Sequence, residues 1–260
     1  MNYISYIKTI IIAPFVIILL LLFKLDPFNL LTFLPPQWRY VFLQNDVSAV
    51  GGYLTVIGTH YSILTAFIIF VVWEQFNKIS DLTDKEAKKL SELTVYISYL
   101  NDPNIEQQIK MKIKDYAQSV IDYEWKDLYH GYINKHSKEN FRHILSTIKE
   151  IKFNDSKDPV AFQSIIKTYE DISDIRQERL VTSTQRMPVP LRILLYLVSF
   201  SVIAGFFLLY IENDIIAIIV TALTTTIVVL VIEVINDLDD PFTGIWAIHP
   251  TPFKELIAQM

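Results

Sequence analysis

Apolar residues in this chain form long unbroken runs toward both ends and fall into a helical rhythm between them. From Ile215 to Ile235, twenty-one residues carry one ionisable side chain, Glu233. A helix of that length rises about 31 Å, at about 1.5 Å per residue, against a bilayer hydrocarbon core of about 30 Å. Tyr53 to Trp73 and Ile193 to Ile211 are similar runs. Ile4 to Phe23 is a fourth, interrupted by Ser5, Lys8 and Thr9. Core helices of soluble proteins keep a polar face toward water, and Ile215 to Val220 and Ile227 to Ile232 have none. Barrel strands of about 10 residues with alternating polarity do not fit such runs. The pattern predicts an all-α integral membrane protein with four transmembrane helices. Lys8 flanks an apolar core as in a signal peptide, but Lys24-Leu25-Asp26-Pro27-Phe28 offers no small-residue cleavage site, so the first run is expected to be a retained helix.

The middle third follows different rules. Asn77 to Pro190 holds 18 basic and 18 acidic residues, the composition of water-facing helices. One helix is expected to continue out of the second span through Lys85, Lys88 and Lys89 to Leu100. Asp102-Pro103 is a start signal for the next, with Asp as N-cap and Pro at the first position. A third is expected from Ser137 to Phe153, and Asp158-Pro159 opens a long one toward Arg186. Met187-Pro188-Val189-Pro190 breaks the chain before the third span.

Charge sets the expected orientation. Of 23 Lys and Arg residues, 19 fall between Lys78 and Arg192, and none lies in Glu212-Asn213-Asp214. The span-flanking charges Lys8, Lys78, Lys85, Arg186 and Arg192 share one side if the amino terminus is cytoplasmic. The expected organisation is therefore residues 1–76 as the first two spans with an extracytoplasmic loop and 77–190 as a helical cytoplasmic domain. Residues 191–235 form the third and fourth spans, and 236–260 a cytoplasmic tail. A bacterial inner membrane suits this layout.

Chemistry-bearing motifs are scarce. There is no cysteine, and six glycines in 260 residues leave no phosphate loop. His60, His130, His136, His143 and His249 lack metal-site spacing and read as surface histidines. The pairs Asp171/Asp174 and Asp239/Asp240 read as solvated helix ends. No catalytic set, cofactor motif or nucleic-acid motif is present, so an enzyme is not expected.

Polar residues within spans are costly and therefore informative. His60, Ile63, Phe67, Phe70 and Glu74 recur at spacings of three and four, which puts them on one helix face. Copies of that helix around an axis would stack an ionisable ring, an apolar constriction and an acidic ring, the composition of a hydrophobic gate. The alternative has Phe67 and Phe70 facing lipid or neighbouring helices and Glu74 pairing with Lys78 one turn on. In the last span, Thr221, Thr224, Thr225 and Thr226 are expected to bond helix carbonyls or neighbouring helices.

Two segments resemble a known family. Val71-Val72-Trp73-Glu74-Gln75-Phe76 looks like the stretch after the bestrophin pore helix. Asp237-Leu238-Asp239-Asp240-Pro241-Phe242-Thr243-Gly244 is similar to the acidic-Pro-Phe-Gly signature after the last bestrophin span. Asp174-Ile175-Arg176-Gln177-Glu178-Arg179-Leu180, ahead of a proline-marked third span, resembles the bacterial bestrophin-like family. The likeness runs from about Tyr53 onward and makes Trp73, Glu74, Asp240, Pro241, Phe242 and Gly244 the signature residues. It implies a homo-oligomeric anion channel, a homopentamer in the family, with its pore lined by the second span and with lipid and an inorganic ion such as chloride as partners. Aligned on Trp73, the family's three neck positions fall at Thr55, Thr59 and Ile63, of which Ile63 alone is bulky and apolar. Where the family carries its acidic calcium clasp, Ile245-Trp246-Ala247-Ile248-His249-Pro250 has no carboxylate. The competing expectation is a non-conducting membrane scaffold whose cytoplasmic helices bind a partner protein. A transporter fits less well, since Pro14 is the one break within a span.

Overall fold

The computed structural model describes residues 47–100, 102–153, 158–209 and 211–260, and the expected first span, Ile4–Phe23, lies outside them. The described elements are helical. In chain order they are α1 (Val47–Ile97), α2 (Pro103–Ser119), a π-helical turn (Val120–Glu124), α3 (Trp125–Tyr129), α4 (Lys135–Ile148), α5 (Asp158–Thr184), α6 (Val189–Leu208), α7 (Asp214–Asp239) and α8 (Thr251–Gln259). Among the described residues, three helices are long and apolar enough to cross a membrane: α1, α6 and Ile215–Asp239 of α7. Only 17%, 28% and 22% of their most apolar windows are buried within the chain, so lipid or further copies must cover the remainder.

The chain divides into two compact units: residues up to Trp73 with Met187–Asp239, and Glu74–Arg186 with Asp240–Met260. In the first, α6 approaches the start of α1 at Gly205. A Cβ there would come within 2.6 Å of Leu54 Cδ2, so this contact needs glycine. Asp239 closes the other end. Its Oδ1 accepts from the Met187 amide at 2.7 Å, and its Oδ2 accepts from the Arg192 guanidinium. Asp239 is 4% exposed, which corrects the reading of a solvated helix end: the carboxylate satisfies an amide beside the α6 amino terminus, where helices leave unpaired donors. Thr225 and Thr226 donate to the carbonyls of Thr221 and Ala222, both at 2.8 Å, as expected for hydroxyls in an apolar helix.

In the second unit, Leu90, Leu93 and Ile97 of α1 share a core with Ile105, Ile109 and Ile113 of α2, Phe141 and Ile144 of α4, Ile165 and Ile172 of α5, and Phe253 of α8. Asp102 caps α2 as its spacing predicts, accepting from the Asn104 and Ile105 amides. The fourth helix begins two residues before the expected Ser137 and stops at Ile148 rather than Phe153, where Lys149 and Glu150 turn back onto Leu145 and Thr147. Asp171 and Asp174 lie within α5 and not at its end, and Lys89 pairs with Asp171 at 3.2 Å.

Candidate functional site

Helix α1 runs unbroken for 51 residues because no proline interrupts it and its polar side chains satisfy themselves along the way. Thr55 donates to the Gly51 carbonyl at 2.9 Å, Thr59 to Thr55 at 2.8 Å and Ser62 to Gly58 at 2.9 Å; His60 Nδ1 lies 2.7 Å from the Val56 carbonyl. One face of its apolar part is covered by the chain, with Ile68 and Val72 buried. The opposite face is exposed among the described residues. Ile63, Phe67 and Phe70 are 68%, 60% and 64% exposed, and His60 and Glu74 are exposed on the same stripe. The five candidate residues therefore line one continuous surface. Glu74 does not take Lys78 as its partner; Lys78 instead reaches Glu178 of α5 at 2.6 Å.

The signature residues have surroundings of their own. Trp73 is 39% exposed. Asp240 pairs with Arg186 at 3.3 Å, Pro241 is buried, and its carbonyl accepts from the Ile248 amide at 2.8 Å. Phe242 meets Trp125 edge-on at 5.6 Å. Gly244 has φ 82°, a left-handed turn that favours glycine. Trp125 Nε1 donates to the Ile248 carbonyl at 2.9 Å, so this hairpin of tail is strapped to the π-helical region of the second unit.

A buried ionic cluster lies in the same unit and was not anticipated. Arg179 of α5 contacts Glu86 of α1 at 2.7 Å and Glu124 of the π-helical turn at 2.7 Å, and Arg176 contacts Glu124 at 2.6 Å. Tyr116 donates to Glu86. Arg179 lies 5.5 Å from the Trp125 ring and 5.8 Å from that of Phe253, and Arg176 sits 5.3 Å from the Tyr116 ring and 5.6 Å from that of Phe141. Two carboxylates and two guanidiniums balance in charge, and the aromatic faces add cation–π attraction. Burial opposes the Arg179 charge, but Glu86 and Glu124 outweigh it and hold the guanidinium protonated well above its usual range. Burial likewise pushes the Tyr116 phenol well up. The signal in sequence was heptad register: Glu86 continues the buried series Ile79, Leu90, Leu93 and Ile97, and Arg176 and Arg179 continue Ile165, Tyr169 and Ile172.

The family comparison decides the class, because a Bestrophin-like domain matches residues 9–253. This chain belongs to the bestrophin-like family. Its fold agrees with solved structures across nearly the whole length. A point mutant of a bacterial Bestrophin homolog from Klebsiella pneumoniae gives a TM-score of 0.75 at 9% identity, covering 97% of this chain and 97% of that chain. Another crystal structure of the Klebsiella pneumoniae homolog gives 0.72 at 9% identity, covering 96% and 95%. A crystal structure of a membrane protein gives 0.69 at 11% identity, covering 94% and 96%. No curated protein matches the chain. Family and long apolar helices together make this an integral membrane protein.

Proposed function

We propose that this bestrophin-like chain is the subunit of a homo-oligomeric, anion-conducting channel whose pore is lined by α1. The observation that carries the reading is the bare His60–Ile63–Phe67–Phe70–Glu74 stripe. Exposed apolar residues also occur on α6 and α7, where lipid suffices to cover them. What favours a pore for this stripe is the ionisable pair His60 and Glu74 on the same face, since such residues in spans tend to face a bundle interior or a water-filled path. Arranged around an axis, Phe67 and Phe70 form the constriction that gates by excluding water, and Glu74 forms a charged ring at its cytoplasmic mouth. Both termini and the charged helices between the second and third spans lie in the cytoplasm, as the flanking Lys and Arg require. The choice of an anion and of a pentamer is supported by resemblance to the bestrophins alone.

Purified protein reconstituted into liposomes tests this directly. Chloride efflux faster than from empty liposomes, with slower potassium efflux, is the expected result. Folded, oligomeric protein whose vesicles leak no faster than empty ones would leave the scaffold reading in its place.

A further inference from the structure

Helices α4 and α5 border an open cavity of about 590 Å³ that the channel reading does not use. Its walls combine two chemistries. Phe141, Leu145, Leu180 and Val181 provide an apolar floor, and Lys138, Arg142 and Arg176 provide three cations, with no carboxylate among the described lining residues. Arg176 is 4% exposed, and its Nη1 is buried with no hydrogen-bond partner among the described residues. Its other terminal nitrogen is already committed to Glu124 at 2.6 Å. Lys138 and Arg142 are exposed on successive turns of α4. A buried guanidinium nitrogen without an acceptor is expensive to maintain, and guanidinium geometry suits a carboxylate or phosphate. The volume falls within the range of about 300–1,000 Å³ typical of small-molecule sites, which are mostly apolar with a few convergent polar groups.

We propose that this cavity binds a soluble organic anion with an apolar body. The ligand's anionic group is held by the exposed Lys138 and Arg142, with the buried Arg176 charge behind them, and its body lies on Phe141, Leu145 and Leu180. An inorganic anion would leave the apolar floor unused, and a neutral apolar molecule would leave Lys138 and Arg142 without a counter-charge. The site is independent of whether the chain conducts, so its test reads binding and not flux.

Full-length protein in zwitterionic-lipid nanodiscs is titrated calorimetrically with naphthalene-2-carboxylate, with the neutral carboxamide and inorganic phosphate as comparators. Saturable binding of the carboxylate, absent from empty discs, is expected, with the amide and phosphate each at least about tenfold weaker, the scale of one charge-assisted hydrogen bond. The double variant Lys138→Gln/Arg142→Gln alters only exposed side chains and should weaken carboxylate binding by about tenfold or more. Val181→Trp, which fills the cavity without changing charge, should abolish binding. The proposal is overturned by uptake equal to that of empty discs, by equal affinity for carboxylate and amide, or by phosphate binding as tightly as the carboxylate. Unchanged binding in the double variant or in the filled one overturns it too.

Discussion

Arg179 and Glu86 form an ion pair wholly enclosed by protein, with Nε 2.7 Å from Oε2 and both side chains 0% exposed. A pair in such a position is held by mutual neutralisation and surrounding hydrogen bonds, and removal of one partner strands the other. Arg179→Met leaves Glu86 and Glu124 together with Arg176 as their one guanidinium. It should destabilise the second unit by about 3–5 kcal/mol. Adding Glu86→Gln to Arg179→Met should recover part of that loss. Thermal unfolding of detergent-solubilised protein reads both values, and a single variant as stable as wild type would show the cluster to be dispensable.

The adjacent carboxylates Asp239 and Asp240 should behave unequally. Asp239 is buried and bonds the Met187 amide and Arg192, so Asp239→Asn should cost about 1.5–3 kcal/mol, the range for hydrogen bonds to charged groups. Asp240 pairs with Arg186, and both side chains are about one-third exposed. Asp240→Asn should therefore cost below about 1 kcal/mol. Equal shifts in unfolding midpoint would contradict the assigned roles.

The tail should be anchored through α8 more than through its signature phenylalanine. Phe253 is fully buried, whereas Phe242 is half-buried and Trp246 is 44% exposed. Phe253→Ala is expected to cost about 3–5 kcal/mol. Phe242→Ala should cost less and Trp246→Ala least, and the order of the three midpoints is the check.

Widening the proposed constriction should raise conduction. Phe67→Ala combined with Phe70→Ala removes the large side chains that exclude water and should increase flux in reconstituted vesicles. Glu74→Gln removes an acidic ring and should shift the chloride-to-cation permeability ratio toward chloride. A scaffold predicts neither change.

Orientation has its own measurement. Reporter fusions after Gln44 and after Tyr99 should give opposite compartment signals, with the Tyr99 fusion cytoplasmic. Matching signals, or reversed ones, would move both proposed pore mouths.

Much of the fold was legible because its signals are local. Apolar runs of membrane length and the Asp102-Pro103 cap need no partner to be recognised. Asp239 needed one: a carboxylate at the end of a helix reads as solvated until the Met187 amide is seen beside it. The end of α4 was overrun because Ile151 and Phe153 continue the apolar pattern after the chain has already turned at Lys149. Helix α8 was missed behind Pro250 and Pro252, although Pro252 sits in its first turn, where proline is tolerated. Glu86, Glu124, Arg176 and Arg179 lie in a segment whose composition reads as water-facing, and composition cannot reveal that helical stripes converge. The stripe on α1 was visible as spacing, and the structure adds that the described residues leave it exposed.

The Asp239 clasp also orders the making of the protein. Met187 and Arg192 leave the ribosome well before Asp239, so the amino end of α6 is synthesised without its acceptor. Until α7 is complete, Arg192 has no carboxylate to offset its charge and is favoured to stay in the headgroup layer. The contact between the start of α6 and the end of α7 can therefore close only after the last turn of α7 has been made, because its acceptor is Asp239.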